Sequence, residues 1–230
     1  MGGPRACPGV WHGDYHGVVT VADDARRTDP AVRLPREERR AQVLRAALEV
    51  FVAQGYHTAA MDDIADCAGV SKPVLYQHFP GKLDLYLALL DEGIAVLLDT
   101  LRTALESTHD NKQRVHGAVS AYFAFVDDPN GAYRLVFESD LTNEAAVRER
   151  VESADFACSL MLSRVIAEDT GLASGEAELL ASGLLGMAQI AARRWLRETS
   201  LIPRQAAVDL IAGLGWRGIR GFPLSHPPTA

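Results

Sequence analysis

Residues 61 to 79 read Met-Asp-Asp-Ile-Ala-Asp-Cys-Ala-Gly-Val-Ser-Lys-Pro-Val-Leu-Tyr-Gln-His-Phe, and the order of apolar and helix-breaking residues in this run decides the fold. Met61, Ile64, Ala65 and Ala68 fall at intervals of three and four, one face of a short helix, and Gly69 stands where a helix C-terminus takes a left-handed glycine. Ser71 offers an N-cap, Lys72-Pro73 a helix start, and Val74, Leu75 and Phe79 a second apolar face before Pro80-Gly81 breaks the run. Two short helices joined by a glycine turn, with Leu75 and Phe79 packing back on Ile64 and Ala65, make a helix-turn-helix. Ser71, Lys72, Pro73, Val74, Tyr76, Gln77 and His78 are left on or near the outer face, a set that suits the major groove of double-stranded DNA. Lys72, Tyr76 and His78 are donors for phosphate oxygens, Gln77 can address an adenine edge, and Val74 or Pro73 can touch a thymine methyl. A purely structural helical corner has no use for an exposed Lys72, Tyr76 and Gln77 beside a proline-started helix.

On the N-terminal side, Val43, Leu44, Ala47, Leu48, Phe51 and Val52 recur at three and four after Pro35, which predicts a first helix ending at Gly55; Thr58 is placed to cap the second. Residues 1 to 34 lack periodicity and are rich in Gly, Pro, Asp and Arg, the composition of a disordered arm. The basic group from Arg33 to Arg40, with Arg36 its candidate for DNA contact, reads as a phosphate-binding arm or as a solvated face, because Glu37 and Glu38 interrupt it.

On the C-terminal side the pattern is helical almost throughout: about 82 to 107, 111 to 127, 129 to 140, 143 to 169, 175 to 199 and 203 to 217, with breaks at Asp127-Asp128-Pro129, Thr142-Asn143, Thr170-Gly171 and Ile202-Pro203. The expected fold is all-α: a disordered arm (1–34), a three-helix DNA-binding domain (35–82), a six-helix ligand-binding and dimerisation domain (83–217) and a flexible tail (218–230). Hydrophobic residues at 48% and charged residues at 23% exclude a mostly disordered chain, and 230 residues suffice for one core plus a small appendage. The net charge of -7 excludes a uniformly basic nucleic-acid coat, so DNA binding must be local. Residues 33 to 82 carry seven Lys/Arg and six Asp/Glu, whereas residues 83 to 230 carry thirteen and twenty. Three scattered cysteines with no CxxC pair fit a reduced cytoplasm, and no apolar run is long enough for a membrane span.

The string Phe51, Gly55, Tyr56, Thr58, Met61, Asp63, Ile64, Ala65, Ala68-Gly69-Val70-Ser71, Leu75-Tyr76, His78-Phe79, Lys82 and Leu85 resembles the TetR family of transcriptional regulators over residues 36 to about 90. The resemblance implies that Thr58, Lys72, Tyr76, His78 and Lys82 meet phosphate or base edges, with the third helix as reader. Further along, NKQRVH at 111–116, YRLVFESD at 133–140 and GLLGMAQIAARRWL at 183–196 resemble the actinobacterial fatty-acid-synthesis regulators within that family. That narrower likeness implies a homodimer sensing long-chain acyl-CoA and controlling fatty-acid synthesis genes. A regulator of an efflux or catabolic operon sensing another apolar compound is the rival reading.

Chemistry of other classes finds little support. Gly213 to Gly218 spells GxGxxG without a preceding strand, Glu106-Ser-Thr-His109 is a single ExxH where a di-iron bundle needs two, and His12 with His16 has no third ligand, so no metal, cofactor or catalytic role is expected. A helical-bundle enzyme is correspondingly disfavoured. Phe123, Phe137, Met161, Leu184, Met187 and Trp195, with small neighbours, are the candidates for an apolar effector cavity, and core filling is the competing use. Arg193 and Arg194 are placed to hold an anionic ligand end or to pair with Glu138, Asp140 or Glu198. For the dimer interface the candidates are Leu180, Leu184, Ala188 and Ala191 on one helix, with Leu210 and Leu214 on the last.

Overall fold

Eight helices, and no strand, account for nearly all of the residues that the computed structural model describes: 34–128, 141, 143–197 and 202–219. The expected helix at 129–140, Phe137, the N-terminal arm, the tail beyond 219 and the His12/His16 pair lie outside them. Helix α1 spans Arg36–Gln54 and buries Val43, Leu44, Ala46, Ala47, Val50 and Phe51 along one side. Helix α2 spans Met61–Ala68, with Ile64, Ala65 and Ala68 buried, and α3 spans Lys72–His78, with Leu75 buried. The contact between α2 and α3 is as short as the glycine turn demands. Gly69 takes φ 63°, ψ 32°, and the N–H groups of Gly69 and Val70 close the helix end on Asp66 and Ala65 carbonyls at 3.1 and 3.0 Å. An L side chain is strained in that left-handed conformation, so the turn selects glycine.

Two local expectations need correction. Thr58 does not cap α2: the helix begins after Ala60, whose backbone is extended, and Thr58 stands too far upstream for its hydroxyl to reach the first-turn N–H groups. Ser71 does occupy the position before α3 with extended backbone, but its hydroxyl makes no cap hydrogen bond there. The first turn of α3 is set instead by Pro73, whose ring fixes φ and whose missing N–H would have had no partner.

Polar side chains tie the three short helices together. Gln42 Nε2 donates to the last carbonyl of α2, Ala68, at 2.8 Å, while its Oε1 accepts from Arg39 at 2.9 Å. The Arg40 guanidinium lies 4.6 Å above the Phe79 ring. An eight-residue and a seven-residue helix are too short to be stable alone, so this packing holds them.

The chain divides into two compact units between Leu85 and Tyr86, inside helix α4 (Lys82–Glu106). The second unit continues with α5 (Asn111–Val126), α6 (Ala145–Thr170), α7 (Ser174–Arg197) and α8 (Arg204–Ile219). Asp110 caps α5, its carboxylate accepting from the N–H groups of Lys112 and Gln113 at 2.8 and 3.1 Å. Helices α6 and α7 run antiparallel, with Gln189 donating to Asp155 at 2.7 Å and Ser159 within 3.1 Å of Ser182. Helices α5 and α8 also run antiparallel, tied by His116 with Asp209 at 2.9 Å and Arg204 with Asp127 at 3.1 Å. No described helix is long and apolar enough to cross a membrane.

Candidate DNA-reading face and effector cavity

With Leu75 fully buried, α3 has its opposite face in solvent: Lys72, Pro73, Tyr76 and Gln77 are exposed, as is Ser71, while Val74 and His78 are half-buried. A polar cleft of about 600 Å³ lies beside it, lined by Arg36 and Arg39 of α1, by Ser71, and by Val74, Gln77 and His78 of α3. Arg36 therefore shares one concave surface with the outer residues of α3. Lys72 is not a bare cation. Its Nζ lies 2.5 Å from Asp62 Oδ2 of α2, and this hydrogen bond holds its pKa above the ordinary lysine value. Both side chains are more than half exposed, so water screens the pair.

Lys82 departs from its expected place at the phosphate. Its ammonium donates to the carbonyls of Tyr56, His57 and Ala59 at 2.8, 3.4 and 2.9 Å and sits 4.5 Å over the Tyr56 ring. A lysine has three N–H donors, and here each has a backbone acceptor in the loop before α2. Lys82 thus shapes the loop that carries the exposed Thr58.

In the second unit, two apolar cavities share a wall. The smaller, about 50 Å³, is bounded by Leu97 and Leu101 of α4, Val119 and Tyr122 of α5, Cys158 of α6, and Leu185, Met187 and Ala188 of α7. The other, about 200 Å³, lies towards the N-terminus of α5 and the C-terminus of α6, with Leu105, Ile166, Thr170 and Trp216 on its wall. Val115, Ala118, Leu162 and Leu184 line both. Burial pushes the Cys158 thiol up to about 12, so it stays neutral beside the chamber at physiological pH.

Of the expected effector residues, Leu184 and Met187 lie on these walls. Phe123 and Trp195 do not: both are buried, their rings pack 5.7 Å apart, and the Trp195 indole N–H donates to the Ile202 carbonyl at 2.9 Å. Met161 is half-buried and lines neither chamber, because a step of one residue turns a helix by about 100° and it is Leu162 that faces inward. Arg193 lies near Asp155, where its positive charge opposes the rise that burial imposes on that carboxyl. Among the lining residues that periodicity and composition did not single out are Val115, Arg114 and Asp169; the run from Arg114 to Val119 carries its small residues at Gly117 and Ala118.

The same one-residue rotation corrects the expected interface stripe on α7. Leu184 and Ala188 face the cavities, and Leu180 and Ala191 are half-buried. The open stripe is Leu179, Gly183, Gly186 and Ile190, with the two large residues 75% and 71% exposed. A Cβ built on Gly183 or Gly186 would meet nothing within 4 Å. On α8, Leu210 and Leu214 are exposed as expected. The GxGxxG run lies wholly inside α8, and its central Gly215 is a packing residue: a Cβ there would come within 3.1 Å of Met187 Cε. Glu106 ends α4 and His109 follows in the turn, both exposed. Among the described residues, no group of three or more His, Cys, Asp or Glu side chains is gathered as for a metal ion.

A short helix with an exposed outer face on a three-helix head, followed by a helical body with apolar cavities, is the build of a helix-turn-helix transcription regulator. The family model of bacterial regulatory proteins of the tetR family matches residues 43–89. The chain is 46% identical over 194 residues to the HTH-type transcriptional activator FasR of Mycolicibacterium smegmatis, covering 84% of this chain and 89% of that one. Among solved structures, a TetR-like transcriptional regulator from Rhodococcus sp. RHA1 superposes with a TM-score of 0.66 at 28% identity, over 82% of this chain and all of that one. The transcriptional regulator FadR from Bacillus subtilis, in complex with stearoyl-CoA, shares the fold with a TM-score of 0.63 at 21% identity, over 76% of this chain and 96% of that one. The chain belongs to the TetR family of transcriptional regulators, whose members are DNA-binding proteins rather than enzymes.

Proposed function

We propose that the protein acts in the cytoplasm as a homodimer on palindromic operator DNA, controlling genes of fatty-acid or lipid metabolism in response to a long-chain acyl-CoA. The observation that carries the effector reading is the pair of apolar chambers sharing Val115, Ala118, Leu162 and Leu184, a continuous hydrocarbon-lined wall suited to an extended chain. The likeness to FasR, and the stearoyl-CoA held by the B. subtilis FadR fold, favour a lipid over other apolar compounds. Arg36, Ser71, Lys72, Pro73, Val74, Tyr76, Gln77 and His78 form the DNA-facing set, with Thr58 beside it. Dimerisation uses Leu179, Gly183, Gly186 and Ile190 of α7 with Leu210 and Leu214 of α8, where small residues let helices approach closely. Two-fold symmetry then sets two reading helices about one DNA turn apart, roughly 34 to 36 Å, and effector binding changes that separation.

The test is titration of a fluorescent operator complex with acyl-CoAs of increasing length, free fatty acids and cationic dyes. Each buried methylene is worth about 0.8 kcal/mol, so potency should climb about fourfold per carbon until the chambers are full. Leu184→Trp, which adds bulk to the shared wall, should abolish the response while leaving operator binding intact. A response that is flat with chain length, or equal for dyes, returns the protein to the efflux or catabolic class of regulator.

A further inference from the structure

The wall of the larger chamber is hydrocarbon except at one edge. Of the described residues lining either cavity, only Arg114 of α5 and Asp169 of α6 carry charge. Their side chains are 14% and 25% exposed, so both charges are largely withdrawn from water. The Arg114 guanidinium is anchored through Nε, which donates to the Thr108 carbonyl at 2.8 Å. Its other contacts are long: Nη1 lies 3.3 and 3.5 Å from the two Asp169 oxygens and 3.3 Å from Asn111 Oδ1, and Nη2 lies 3.4 Å from His109 Nδ1. Well-formed charge-assisted bonds of this type measure about 2.7 to 2.9 Å. One nitrogen therefore fixes the orientation of the fork, while its two outer nitrogens hold partners at distances a better acceptor can improve. Asp169 is the anion already seated on that fork: burial raises its pKa above the usual carboxylate value, against the lowering effects of Arg114 and of its hydrogen bond with Asn111.

We infer that Arg114 is the anion receptor of the effector site, taking either the carboxylate of a fatty acid or a phosphate of the CoA that carries a fatty acyl chain. This rests on the reading of the chambers as the effector site. The chain lies along the shared wall of Val115, Ala118, Leu162 and Leu184, and its carboxylate or phosphate oxygens replace Asp169 on the two outer nitrogens of the guanidinium. A neutral chain of equal length gains the same burial without this contact, because the Arg114–Asp169 pair then stays closed. Arg114 thus selects for the charged end of the ligand, and Asp169 sets how strong that end must be to enter.

The experiment measures binding of three probes to the full-length protein by calorimetry, below their micellar concentrations: palmitate, 1-hexadecanol and palmitoyl-CoA. The wild type should bind at least one of the two anions about tenfold or more tighter than the alcohol. Arg114→Gln should bring that anion to the level of the alcohol while leaving alcohol binding unchanged, which also shows that the variant is folded. Arg114→Lys should keep part of the preference, and Asp169→Asn should tighten the anion alone. Arg114 dependence confined to palmitate identifies a carboxylate head; dependence confined to palmitoyl-CoA identifies a phosphate. Equal binding of acid, thioester and alcohol to the wild type, or an equal loss of all three in Arg114→Gln, overturns the inference while the effector reading stands. No binding of any sixteen-carbon probe overturns both.

Discussion

The DNA-reading head and the helical body solve the same problem, holding apolar faces together, at different range. In the head the helices are short, the turns are tight, and Gly55, Gly69 and Pro73 fix where each begins or ends. In the body, helices of 25, 26 and 24 residues are joined by turns that leave their rotation open, and the packing partners are far apart in sequence. Breakers set the phase of a short helix directly, whereas a long helix with apolar residues on several sides takes its phase from its neighbours. Charge follows the same division: the head is near neutral, with Arg36 and Arg39 beside α3, whereas the body, with thirteen Lys/Arg against twenty Asp/Glu, is net acidic.

The largest effect should come from breaking the open stripes of the body. Ile190→Arg or Leu210→Arg would bury an unpaired charge at the proposed interface, costing about 3 to 5 kcal/mol of association and, with it, palindrome binding. Sedimentation should show monomers; a dimer that survives both changes would overturn the proposed α7–α8 interface. Next in size is a change in the head. Gln77→Ala should relax preference at one base pair by about 1 to 3 kcal/mol, read from operators mutated position by position, and uniform weakening would make Gln77 a positioning contact instead.

Gly69→Ala, which forces a side chain into the left-handed turn, should destabilise the head by about 1 to 2 kcal/mol, visible as a lower midpoint in thermal unfolding. The same change at Gly183, in a helix interior where a Cβ meets nothing, should instead raise monomer stability by about 0.5 to 1 kcal/mol. Smaller again is Lys72→Ala, expected to weaken operator binding and reduce the salt slope by about one, while Asp62→Asn, which removes the competing carboxylate, should strengthen binding. An unchanged slope in Lys72→Ala would leave Lys72 paired with Asp62 in the complex as well.

The smallest effect concerns acid. The His116 hydrogen bond lowers the Asp209 pKa below the ordinary aspartate value, so its contribution to stability is present above about pH 3.8 and is lost as pH falls through the lowered native value. His116→Gln should therefore lower stability slightly above about pH 3.8, with the difference from the wild type vanishing as the pH falls through the lowered Asp209 value. A change at neutral pH comparable to that of Gly69→Ala would show that the α5–α8 tie matters more than an exposed pair should.

The sequence by itself determined the class of the protein and most of its helix boundaries. Pro35, Gly55, Gly69, Pro73 and the Thr170-Gly171 break fix ends by backbone sterics and missing N–H groups, which are properties of single residues. It also determined the outer face of α3, because seven residues with one buried Leu75 admit a single orientation. Only the tertiary structure decided that Leu162 rather than Met161 faces the cavity, that the open stripe of α7 is Leu179 to Ile190, and that Lys82 and Arg114 hold particular oxygens. On α7 the residues Leu179, Leu180, Leu184 and Leu185 offer apolar surface around most of the circumference, so periodicity alone gives no preferred side. Which side is covered depends on helices tens of residues away, and a displacement of one position along the sequence is a rotation of about 100° in the fold.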